Sequence, residues 1–171
     1  NFDIELFFAH ELSVPEPIET GVTFNENALL KARHAVGFLG LPALADDCGL
    51  CITSLNDEPG IHSKRYALSE GSWGKAMKRL LQRIEGKSNV GFMCCSLALV
   101  WPDGTEVCAI GKLEGKIVCP RGQFGFGFDP CFQPTGSDKT LGEMTTVFRN
   151  KNNHRSLAFS LLSQQVKWHQ L

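Results

Sequence analysis

Apolar residues recur about every fourth position at Phe24, Ala28, Ala32, Val36 and Leu39. That spacing lines one face of an α-helix. Thr23 and Glu26 open the run as a capping box, in which the Thr23 hydroxyl caps a free amide and the Glu26 carboxylate reaches back. The pattern predicts a helix from about Phe24 to Phe38, with Lys31 and His34 off its apolar face, ended by Gly40 and Pro42. Trp73, Met77, Leu80, Leu81 and Ile84 predict a second helix whose wet side carries Lys75, Lys78, Arg79 and Arg83. A third, from about Asn153 to Lys167, is expected to turn Leu157, Leu161, Leu162 and Val166 inward.

Elsewhere the apolar positions alternate or run on. Asp3 to Phe8 predicts a strand, broken by Pro15-Glu-Pro17. Leu41 to Ala45 predicts a short buried strand leading into Asp46-Asp47, with Gly49 as a turn and Leu50 to Leu55 as the next strand. Glu58-Pro-Gly60 is a further turn. Val90 to Trp101 and Val107 to Leu113 form a hairpin through Pro102-Asp-Gly104, extended by Gly115 to Cys119. Pro120 to Pro134 reads as a loop rich in Gly and Phe. Long strands among flanking helices predict an α/β fold with a mixed sheet.

Composition narrows the function classes. The 171 residues suit a single domain, and 43% hydrophobic with 20% charged residues excludes a disordered chain. The longest apolar run, about Met93 to Trp101, falls well short of the ~20 residues of a spanning helix. A net charge of −1 excludes a broad basic surface for nucleic acid or an anionic membrane. The seven cysteines are odd in number and mostly have apolar neighbours, which predicts buried thiols of a reducing cytoplasm. Cys48 and Cys51 have metal or redox spacing, but no second pair follows at zinc-ribbon spacing.

Four short stretches carry candidate chemistry. Asp46-Asp47 sets two carboxylates at the end of a buried strand, where a hard divalent cation offsets their repulsion; an ordinary Asp-rich turn accounts for them equally simply. Glu26 is explained by its cap, yet it lies where a helix N-terminus favours anions. Gly125-Phe126-Gly127-Phe128-Asp129 offers close backbone approach and aromatic faces for a base, or else a hydrophobic loop packed on the core. Arg149, His154 and Arg155 bring positive charge to the start of a helix, where the dipole disfavours it, so they suit an anionic or carbonyl-bearing ligand or a solvated basic turn.

Taken together, these stretches resemble the inosine triphosphate pyrophosphatase family. The resemblance runs from Glu11 to about Leu162. Its carriers are Glu19-Thr-Gly-Val-Thr-Phe-Asn-Glu-Asn-Ala28, Ala45-Asp-Asp-Cys-Gly-Leu50, Pro59-Gly-Ile-His-Ser-Lys-Arg-Tyr66, Gly125-Phe-Gly-Phe-Asp-Pro130, and Glu143-Met144 followed by His154-Arg155. It implies an elongated mixed β-sheet flanked by helices, with two lobes around a nucleotide cleft. It further implies a homodimer, Mg2+, and hydrolysis of inosine and xanthosine triphosphates and their deoxy forms to monophosphate and pyrophosphate. Glu26, Asp46 and Asp47 would hold the metal, and Asp47 would be the general base. Cys48 stands where the family has a substrate-contacting Ser. Phe126, Gly127, Phe128 and Asp129 match the base-binding loop, with Phe128 in place of Tyr. Arg149 replaces a Lys, and His154 and Arg155 match the base-reading pair. The family's opening strand, phosphate loop and first helix have no counterpart after Asn1, so we expect an N-terminal segment to supply them. Two rivals remain at this point: a Maf-type pyrophosphatase of other base specificity, and a nucleotide-binding or sensor module without catalysis.

Overall fold

The computed structural model describes residues 5–166. Five strands form one sheet in the order β2-β1-β3-β4-β5, where β1 is Ala43–Ile52, β2 Glu58–Pro59, β3 Val90–Val100, β4 Glu106–Ile117 and β5 Phe132–Pro134. The helices are α1 (Phe24–Leu39), α2 (Ser63–Ser69), α3 (Trp73–Arg83), α4 (Thr146–Lys151) and α5 (His154–Ser163). The fold is thus mixed α and β around a central sheet, as expected. Every strand pair among the described residues is antiparallel, however, with none of the parallel pairs of a mixed sheet. The hairpin explains this for β3 and β4, since a tight turn can only return the chain antiparallel.

The sheet sorts its helices by face. On one face Ala98 and Val100 pack against Ala28 and Ala32 of α1. On the other, Cys95, Leu97 and Leu99 pack at one end against Ala158 and Leu162 of α5. At the far end of that same face Leu50, Ile52 and Met93 join Met77 and Leu80 of α3 in a separate core. Two packed lobes on one sheet face leave a cleft between them.

Several local expectations change. The segment 5–8 is not a strand, and Asp3 lies outside the described residues, as does the expected helix end at Lys167. Leu41–Ala45 and Leu50–Leu55 are not separate strands: Gly49 lies inside the single strand β1. The glycine is there for space, because a Cβ would stand 2.1 Å from the Gly60 carbonyl oxygen. Helix α5 turns His154, Ala158 and Leu162 inward and leaves Leu157 and Leu161 exposed. It approaches the sheet over Gly111, where a Cβ would meet the His154 carbonyl at 2.2 Å, so the small residues of both elements decide the helix face. The Gly- and Phe-rich loop hides the short strand β5, and α2 and α4 were too short to show a period.

Candidate active site

Successive residues of a strand point to opposite faces, and β1 therefore separates its two aspartates. Asp46 faces α5. Its Oδ2 accepts from Arg155 Nε at 3.0 Å and from the Cys48 thiol at 3.0 Å. Burial tends to raise the Asp46 carboxyl, but the Cys48 thiol and the Arg155 guanidinium more than offset it and hold it below the ordinary range. Asp47 faces α1 and is 6% exposed. Its Oδ1 accepts from Lys31 Nζ at 2.9 Å and its Oδ2 from Asn27 Nδ2 at 3.4 Å. Burial pushes Asp47 above the ordinary carboxylate range, and Lys31 only partly counters it. The expected repulsion of adjacent carboxylates at a strand end is thus absent. Both lie inside β1, and each meets its own cation.

Glu26 does not join Asp47. Its Oε2 accepts from Val22 N at 2.7 Å and its own N–H donates to Thr23 Oγ1 at 3.1 Å, which keeps the exposed carboxylate at the helix cap. Glu19 takes that place instead. It stands 3.3 Å from Lys31 Nζ and 3.9 Å from Arg65, so Lys31 lies between two carboxylates. Both Glu19 and Lys31 were passed over in the sequence. The available signal was the four-residue step from Asn27 to Lys31, which sets both on the side of α1 that meets Asp47.

Across the cleft the aromatic loop divides its roles. Phe126 is exposed, with the Arg155 guanidinium 5.1 Å over its ring. Phe128 is buried and meets Trp73 edge-on at 5.0 Å, so it supports the cleft wall rather than offering a stacking face. A Cβ at Gly127 would meet the Trp73 ring at 3.6 Å. Asp129 accepts from Phe126 N at 3.1 Å and lies 3.6 Å from Arg149 Nε. Burial raises its carboxyl despite these contacts. The Arg149 Nη1 and His154 Nδ1 atoms are buried without a partner. Burial, with Arg155 alongside, pushes His154 down to about 4, so its imidazole is neutral at physiological pH.

These groups converge on a cleft of about 380 Å³ that reaches from Glu19, Lys31 and Asp47 to Phe126, His154 and Arg155. The volume falls in the range of a small-molecule site. Arg149 stands outside it, in an adjoining hollow that shares Phe126, Asp129, His154 and Arg155. Cys48 lines the cleft floor, yet its thiol is driven far above the ordinary range by its hydrogen bond to Cys95, burial and Asp46. A thiol so held is no nucleophile. Glu16, Lys64 and Trp73 also line the cleft. Lys64 and Trp73 come from α2 and α3, whose periodicity reports packing and not the cleft.

The chain is similar to known proteins over nearly its whole length. A relative from Caulobacter vibrioides named dITP/XTP pyrophosphatase is 44% identical over 162 residues, which cover 92% of this chain and 84% of the relative. One of the same name from Streptomyces coelicolor is 42% identical, covering 90% and 79%. The structure of a HAM1 protein from Coxiella burnetii superposes with a TM-score of 0.87 at 38% identity, over 95% of this chain and 87% of that one. A nucleoside-triphosphatase or dITP/XTP pyrophosphatase from Mycobacterium abscessus gives a TM-score of 0.75 at 35% identity, over 91% and 82%. The model of the Ham1 family matches residues 2–165, nearly all of the cleft-bearing fold, and the chain belongs to that family.

Proposed function

We propose that the chain hydrolyses non-standard purine nucleoside triphosphates, the inosine and xanthosine nucleotides and their deoxy forms, to monophosphate and pyrophosphate. The observation that carries this is a single cleft with a buried carboxylate at one end and the unpartnered Nδ1 of His154 beside an exposed aromatic ring at the other. The carboxylate end suits the phosphates, and the aromatic end suits a base.

Asp47 acts as general base. Its raised carboxyl is a better proton acceptor than a solvated aspartate, and Lys31 favours its ionised form. It takes the proton of a water that attacks the α-phosphorus, the bond to the bridging oxygen of the β-phosphate breaks, and pyrophosphate leaves. A divalent cation serves nucleotide pyrophosphatases of this kind. Glu19 and Asp47 fit Mg2+, because two carboxylates already share one positive centre at Lys31 and supply the oxygen donors it requires. When bound, Mg2+ neutralises charge on the phosphate oxygens. Lys31 and Lys64 add positive charge at the same end.

His154 and Arg155 read the base. Arg155 can only donate hydrogen bonds. The 6-carbonyl of hypoxanthine or xanthine satisfies it, and the amino group of adenine does not. Asp46 holds the guanidinium 5.1 Å over the Phe126 ring, beside the face that suits a purine. The free state of all seven cysteines fits a cytoplasmic enzyme. Exposed Phe38, Leu41 and Leu44 give a short apolar strip that supports a homodimer. No helix is long and apolar enough to cross a membrane among the described residues.

The test is pyrophosphate release from inosine, xanthosine and adenosine triphosphates with Mg2+, before and after chelation by EDTA. The first two should turn over well ahead of the third, and EDTA should stop all three. Equal turnover of adenosine triphosphate, or activity untouched by EDTA, would refute the assignment.

A further inference from the structure

Among the described residues one set of possible metal ligands is distinct from the Glu19 and Asp47 pair assigned to Mg2+. The carboxylate and sulfur atoms of Asp46, Cys48 and Cys95 all lie within 4.8 Å of one another. Cys48 and Cys95 are directly opposed across β1 and β3, which sets their sulfurs within that distance. The Cys48 thiol and Arg155 Nε both bond Asp46 through Oδ2, which leaves Oδ1 available. Cys95 is fully buried beneath the cleft floor, while Asp46 and Cys48 line it. Cys48 and Cys51, the pair whose spacing suggested a metal in the sequence, are three residues apart on one strand and so leave β1 on opposite faces.

We propose that Asp46, Cys48 and Cys95 bind a thiophilic divalent cation of the zinc and cadmium class, which then excludes nucleotide from the cleft floor. Thiolates select soft and borderline cations, whereas Mg2+ takes oxygen ligands, so the two metals sort to different ends of the cleft. Tetrahedral zinc with bonds of about 2.3 Å to sulfur sets its sulfurs about 3.8 Å apart, within about 1 Å of the separation limit found here. Charge also balances. Two thiolates and one carboxylate are offset by the cation and the Arg155 guanidinium, which already contacts Asp46. Each thiol loses its proton to solvent as its bond to the metal forms. Three protein ligands leave the fourth position facing the cleft, where water completes the tetrahedron. An ion there covers Cys48 and engages Asp46 through Oδ1, while Oδ2 keeps Arg155. The exclusion of nucleotide rests on the function proposed above, but the binding of the cation does not.

The experiment uses the whole chain with Cd2+ as the binding probe, followed by calorimetry and by the ultraviolet thiolate-to-cadmium charge-transfer band. Wild type should bind one equivalent with the band. Cys95→Val, and Cys95→Ser which keeps the size and removes the soft donor, should each lose at least about a hundredfold in affinity. Cys51→Ala should bind as wild type does. In turnover assays at saturating Mg2+, added Zn2+ should raise the apparent KM of wild type and leave that of Cys95→Val unchanged. No band, or wild-type Cd2+ affinity in both Cys95 variants, would overturn the site. A band without any effect of Zn2+ on KM would overturn the exclusion of nucleotide. A wild type that hydrolyses no purine triphosphate would refute the proposed function alone, and the Cd2+ titration would still decide the site.

Discussion

Replacing Asp47 by Asn separates chemistry from folding. The change is isosteric, and the site tolerates it for a reason visible in the contacts. Lys31 keeps Glu19 at 3.3 Å when the Asp47 charge is gone, so no buried cation is orphaned. The loss is one charge-assisted hydrogen bond at 2.9 Å, worth about 1.5–3 kcal/mol. Against this, the folded chain no longer desolvates a carboxylate, the cause that raises Asp47 in the first place. The net cost to stability should be about 1–2 kcal/mol, which in a chain of this size lowers Tm by about 2–8 °C. The effect on rate should be larger. Removal of a general base costs about 10²- to 10⁴-fold, equivalent to about 2.7–5.4 kcal/mol in the barrier. The assay is kcat/KM for inosine triphosphate from coupled pyrophosphate release, with thermal unfolding run in parallel. A folded Asp47→Asn enzyme within about threefold of wild type would refute the role of Asp47 as base.

Three further outcomes follow from the site. Arg155→Ala should reduce the inosine-over-adenine ratio of kcat/KM by roughly 5- to 150-fold, the equivalent of about 1–3 kcal/mol for an unmet buried donor. An unchanged ratio would place base selection elsewhere. Phe128→Ala should cost about 3–5 kcal/mol of stability because it empties a core position against Trp73. Phe126→Ala should stay within about 0.5 kcal/mol and raise KM instead, since Phe126 is exposed; urea unfolding and steady-state kinetics would show if the two roles are exchanged. Burial holds the folded His154 at about 4, against the ordinary histidine value of 6.5 in the unfolded chain. Between those values only the unfolded chain holds the proton, so stability is full above the upper value and falls as pH drops through the window. His154→Gln should flatten that slope in urea midpoints measured from pH 7 to 4, and a parallel slope in both proteins would exclude His154 as its source.

The sequence by itself determined the elements whose signals are local. The helix α1 and its cap follow from Thr23, Glu26 and the four-residue apolar step, and the β3–β4 hairpin follows from two apolar runs around Pro102-Asp-Gly104. The short motifs also come together, since Asp46, Asp47, Cys48, Phe126 to Asp129, His154 and Arg155 line one cleft. Which side chain does what was decided only by the fold. The alternation of β1 sends Asp47 to Lys31 and Asp46 to Arg155, 109 positions away along the chain. Adjacency in sequence suggested that the two aspartates act together, whereas a strand guarantees that they part. Glu26 looked like a ligand because it sits in a motif, but its backbone contact at Val22 holds it at the cap, and Glu19 meets the cleft through an irregular segment with no period to read. The pairing of Cys48 with Cys95 belongs to strand register, which depends on how distant segments bury their apolar faces against each other. Local patterns therefore set the elements, and long-range register and helix docking set the chemistry.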